Sequence, residues 1–198
     1  MTSSGNEEIL TLEPLIEAVR SGVESAGWEL SGLQKTTSHQ FEGRWEGDAT
    51  RSAYLFFHPP LGPDYVSVDV YLDETSRGLS GNIALVADLV GLGELGEADD
   101  ALDSLRAASM RELDARHGRP LTLRFRLSDA ARNPAEAETE VRFKVRISRR
   151  VIAAGAAATA SLASEAVASF ERILASAEVL GLAPADGSGS DLANEGGP

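Results

Sequence analysis

Apolar residues recur along this chain with two periods, and their order sketches a fold. Leu12, Leu15, Ile16, Val19 and Val23 recur at helical spacing behind Thr11, a side chain suited to an N-cap. Gly27 is a natural stop for that first helix. The period then drops to two. Phe41, Gly43 and Trp45 alternate with Glu42, Arg44 and Glu46, and Gly47–Asp48 supplies a turn. Ser52–Phe57 reads as a short aromatic strand that ends at His58–Pro59–Pro60, where proline removes ladder donors. Tyr65–Asp73 alternates most cleanly, with Val66, Val68, Val70 and Leu72 on one face and Tyr65, Ser67, Asp69 and Tyr71 on the other.

Leu79–Val90 fits both periods. The turn ending at Gly78 and the glycine at 81 favour a returning strand over a helix. A middle helix is expected over Ala98–His117, with Leu102, Leu105, Ser109 and Leu113 inward. Acids crowd its start and Arg111, Arg116 and His117 its end, as the helix dipole prefers. Two further strands, 121–128 and 139–148, alternate Leu121, Leu123, Phe125, Leu127 and Val141, Phe143, Val145, Ile147 with polar positions. They predict a hairpin. One long helix over about 150–180 should close the sequence of elements, and Gly181 ends it.

Strands and helices are segregated, which predicts an α+β class: an antiparallel sheet of five to seven strands with N-terminal, middle and long C-terminal helices packed on it. The order is similar to that of small α+β secretion chaperones and YbjN-like bacterial regulators, although no motif of those families occurs. The expected limits are a disordered lead over 1–8, a single domain over 9–182, and a disordered acidic Gly/Ser-rich tail over 183–198. The low aromatic content, 6%, means that the core must be built mainly from Leu, Val, Ile and Ala.

Charge changes the picture. The chain carries a formal charge of −13, yet residues 119–150 hold nine Lys/Arg against four acids. Arg124, Arg126, Arg142, Lys144 and Arg146 alternate with the apolar positions of the two C-terminal strands, so pairing those strands would gather five cations on one face. Like charges placed opposite one another cost stability. Such a face calls for an acidic partner, either a second copy of this chain or a separate acidic protein segment, or for neutralisation by the chain's own acids. The overall acidity argues against nucleic acid as a partner.

The chemistry-bearing motifs are thin. The chain has no cysteine, which excludes disulfides and thiol nucleophiles. The three histidines, His39, His58 and His117, have no metal-ligand spacing. Gly91, Gly93 and Gly96 match the dinucleotide-loop spacing, but Glu94, Glu97, Asp99 and Asp100 would repel a pyrophosphate there, so a plain Gly-rich loop is the reading. Asp99, Asp100 and Asp103 lack a calcium-loop ladder and read as helix-start acids. No catalytic residue, metal site or cofactor is assigned. A polar acidic start without a signal-peptide pattern, and apolar runs too short to span a bilayer, lead to the expectation of a cytoplasmic protein without membrane contact.

The expected function is therefore a non-enzymatic protein-interaction or chaperone-like, regulatory module of a bacterial-type cytoplasm. The alternative is a small-ligand-binding protein or enzyme with a cleft near His58 and the aromatic residues Tyr54, Phe56, Tyr65 and Tyr71. A broad shallow surface would favour the first, and a deep pocket with converging polar groups the second.

Overall fold

The computed structural model describes residues 8–37, 50–60, 64–88, 98–117 and 140–177. In chain order its elements are α1 (Leu12–Ser25), β1 (Glu29–Thr37), β2 (Arg51–His58), β3 (Val66–Thr75), β4 (Gly78–Asp88), α2 (Ala98–His117), β5 (Glu140–Ile147), the short α3 (Arg149–Ala153) and α4 (Ala156–Ala177). Among the described residues the sheet has five strands in the order β1-β2-β3-β4-β5, and every neighbouring pair is antiparallel. The class is α+β, with N-terminal, middle and long C-terminal helices.

One face of the sheet is covered. Leu55 and Phe57 of β2, Val66, Val68, Val70 and Leu72 of β3, and Val141, Phe143, Val145 and Ile147 of β5 are buried in one cluster with the apolar stripes of the helices. Leu12, Leu15, Ile16, Val19 and Val23 supply the α1 stripe, and Leu105, Ala108 and Leu113 that of α2. In α4 the stripe is Ala163, Ala166, Val167, Phe170 and Ile173. Each large side chain sequestered this way contributes roughly 1.5–3 kcal/mol.

The ambiguous stretch at 79–90 is a strand, β4, and its ambiguity has a physical cause. Residues Ile83–Ala87 are all buried, so both faces of β4 are apolar and alternation disappears. The single long helix expected over 150–180 is corrected to two. Gly155 has φ +95°, a left-handed backbone that ends α3 before α4 begins. Ser148 caps α3 by accepting the Val151 N–H at 3.4 Å. Thr11 sits at the N-cap of α1 without using its side chain. Instead Glu74 of β3 accepts the Leu12 N–H at 2.9 Å, and Arg51 joins Glu74, at 3.2 Å, to Glu13. Carboxylates from the strand layer and the first turn thus satisfy the positive end of α1.

Several expectations lie outside the described residues: the lead, the Phe41–Trp45 alternation, the loop Gly91–Gly96, the strand 121–128, the Leu102 side chain and the tail 183–198. Among the described residues no helix is long and apolar enough to cross a membrane.

Candidate functional site

The sheet face opposite the helices carries the candidate site. Cross-strand register aligns its side chains in rows. One row runs Gln34, Tyr54, Tyr71, Asn82, Arg146, and the next Gly32, Phe56, Asp69, Ala84, Lys144. Paired residues in an antiparallel sheet point to the same side, so aromatic positions of β2 and β3 share a face with the cations of β5. Tyr54 and Tyr71 pack with ring centroids 4.9 Å apart and planes tilted by 47°. Phe56 faces Gly32, where a Cβ would come within 3.3 Å of the ring. A shallow groove of about 390 Å³ lies over these rows, between the tyrosines and Phe56 on one side and Arg142 and Lys144 on the other.

Arg142 is not a bare cation. It reaches from β5 across β4 to Asp69 on β3, at 3.2 Å, and pairs with Glu140 on its own strand at 2.7 Å. That path crosses β4, where Ala84 and Val86 are buried on the same face. Asp69 also accepts from Ser67 at 3.0 Å. Burial nevertheless pushes its carboxyl above the usual range, against the pull of Ser67 and Arg142, and Glu140 adds to the rise. Tyr71 lies near Ser52, whose hydroxyl is 3.4 Å away and lowers the phenol's pKa; burial and the Asp73 carboxylate outweigh it and raise the phenol. Ser52 itself donates to Asp73 at 2.8 Å.

The structure brings together residues that the sequence analysis assigned to rival sites. Arg142, Lys144, Tyr54, Phe56 and Tyr71 line one groove, and Arg146 adjoins it through its row. Arg146 is exposed and forms no ion pair among the described residues. Arg124 and Arg126 lie outside the described residues. Tyr65 packs against the core under the covered face and does not line the groove. His58 ends β2 with Nδ1 3.3 Å from the Val66 carbonyl oxygen; it too is outside the groove lining, although close enough to bias Asp69 electrostatically. Asp69, Asn82 and Ala84 are lining residues that sequence reasoning did not single out. The apolar run at 83–87 was the available signal, because a strand apolar on both faces has something lying on each.

Aromatic rings offer an apolar seat, and the β5 cations flank it. Among the described residues no three His, Asp or Glu side chains gather to hold a metal ion. On the helix side a second shallow groove places Glu13 and Glu17 beside Ala18, Ala156, Ala157 and Ala160, with no cation in its lining among the described residues. Comparison with protein-family models, with curated proteins and with solved structures finds no match for this chain.

Proposed function

We propose that this chain is a non-enzymatic protein-interaction module, chaperone-like or regulatory, of a bacterial-type cytoplasm, and that its open sheet face receives an extended acidic segment of a protein partner. The observation that carries this reading is the open groove in which Tyr54, Phe56 and Tyr71 lie beside Arg142 and Lys144. Arg142 in its lining is engaged by Asp69 and Glu140, and Lys144 lies beside it. Arg146, exposed and without an ion pair among the described residues, adds a positive charge at the end of the tyrosine row. Tyrosine and arginine are the residue types that dominate protein contacts energetically. A wide surface groove suits a chain segment better than an enclosed small molecule.

The test is fluorescence anisotropy with labelled extended peptides, each carrying one Leu and three or more acids, against neutral and basic scrambles. Acidic peptides should bind saturably and weaken as salt screens the cations. A Tyr54→Ala/Arg146→Ser variant should lose tenfold or more. Equal binding of acidic and basic peptides, or acidic binding that the variant leaves intact, refutes the reading. Tight binding of a small metabolite that displaces no peptide would transfer the face to the ligand-binding alternative.

A further inference from the structure

We propose that the outer edge of β1 is a second contact surface, where an extended segment of a partner protein pairs as a further antiparallel strand, with an acid opposite Lys35 and an aliphatic side chain opposite Leu33. The inference goes beyond the groove reading and uses none of the groove's cations.

The first observation is an edge that the described fold leaves open. β1 stands at the end of the strand order, and among the described residues its one sheet neighbour is β2. From Leu33 to Thr37 every residue of β1 is exposed. A strand paired on one side only presents a row of backbone N–H and C=O groups outward, and an extended chain can satisfy that row. A bulge sets the usable length. Register against β2 shifts between Leu30 and Gly32, where the Ser31 hydroxyl donates to the Phe56 carbonyl oxygen at 3.0 Å. From Gly32 to Thr37 each residue faces one partner in unbroken register.

The second is what this edge displays. Leu33 pairs with Leu55 and Lys35 with Ala53, both buried on the helix side, so Leu33 and Lys35 point to that side. Leu33 is nevertheless 44% exposed. Lys35 is exposed and forms no ion pair among the described residues. Its field reaches Glu13 of α1, but Arg51 engages that carboxylate. Gln34 and Thr36, paired with Tyr54 and Ser52, turn to the open face. An added strand therefore meets an aliphatic side chain and a cation on one side and uncharged polar side chains on the other. An antiparallel segment reading acid-x-aliphatic complements both, since directly opposed pairs of opposite charge and of apolar side chains are stabilising.

The third observation decides between such a partner and a second copy of this chain. In a two-fold pairing of two β1 strands, opposed residues must point to the same side of the sheet. Centring the pair on Lys35 puts the two lysines opposite each other. Centring it on Gln34 or Thr36 makes them diagonal neighbours, still within reach of long side chains. Centring it on Leu33 separates them, but only Gly32, Leu33 and Gln34 then pair before each strand meets the other's bulge. Lys35 and the bulge thus oppose self-pairing, as edge strands commonly arrange, while Lys35 favours an acid.

The experiment gives the full chain a short labelled threonine-rich peptide with a single Glu two places before a single Val. The proposal expects saturable binding and slowed hydrogen exchange of alternate β1 amides between Gly32 and Thr37. The Tyr54→Ala/Arg146→Ser variant should bind this peptide as the parent does. Methylating the backbone nitrogens along one edge of the peptide should abolish binding, and along the other edge leave it. Lys35→Glu should weaken binding about fivefold, and a peptide with Lys in place of its Glu should recover it. Binding that ignores Lys35→Glu, or that both methylated peptides keep, overturns the proposal, and so does the absence of binding. Binding lost in the groove variant, with β1 exchange unchanged, also overturns it and leaves the groove reading standing. A dimer in sedimentation whose β1 amides are protected before peptide is added gives the edge to a second copy and refutes the acidic partner.

Discussion

Replacing Gly22 with alanine sets two effects of known size against each other. Gly22 is buried in α1, in a right-handed helical backbone where alanine is intrinsically better by about 1 kcal/mol. A Cβ built there lies 2.3 Å from the carbonyl oxygen of Ala160 and 2.8 Å from the Cβ of Ala163. The nearer atom is backbone, so no rotamer change relieves the overlap, and α1 must move off α4. That movement loosens the buried contacts of Val19 and Val23 with the rest of the core. Overpacking of this kind costs about 1–3 kcal/mol, and more where backbone must move. The net expectation is a loss of about 1–2 kcal/mol, the steric term outweighing the propensity gain. Urea denaturation followed by Trp28, buried near the C-terminal end of α1, measures it. Adding Ala163→Gly should restore only part of the loss, because the Ala160 oxygen remains. Gly27→Ala is the contrast: φ is +91° with nothing within 4 Å, so only the left-handed backbone cost of about 1–2 kcal/mol applies. A Gly22→Ala protein as stable as the parent would refute the close approach of the two helices.

Other outcomes follow from the same structure. Phe143 is fully buried in the strand carrying Arg142 and Lys144, and Phe143→Ala should cost about 3–5 kcal/mol by cavity formation in the same denaturation assay. Asp69 has its carboxyl raised by burial, so the folded state holds that proton to higher pH than the unfolded chain does. Its contribution to stability is present below the ordinary aspartate value and is lost as pH rises through the raised one. Asp69→Asn should therefore gain on the parent as pH rises through that window in urea midpoints; a parent that gains on the variant instead would show the Arg142 pair to dominate.

The fold was legible wherever a side chain's surroundings repeat locally. In β3 every second residue meets the helices, so Val66, Val68, Val70 and Leu72 declare the strand by themselves. In β4 the period vanishes because Ala84 and Val86 are buried on the face opposite the helices as well. The break at Gly155 was hidden in an alanine-rich run that is strongly helix-forming on both sides; only the positive φ separates α3 from α4. The candidate site was half legible. Residue types pointed to a cationic set and an aromatic set, but cross-strand register decides that the two share adjacent rows. Register depends on turns and on packing between distant segments, which periodicity does not encode. The neutralisation of Arg142 by Asp69 is hidden for the same reason, since the two strands meet only through β4.

The central claim is that the open sheet face is where this chain meets an acidic protein segment. Chemical-shift mapping of the full chain, titrated with an acidic one-Leu peptide, tests it most directly. The account predicts saturable shifts centred on Tyr54, Phe56, Tyr71, Asn82 and Arg146, fading at high salt, with the α1–α4 groove around Glu17 and Ala157 unmoved. Shifts centred on that helix-side groove, or spread over the surface without saturation, would contradict it.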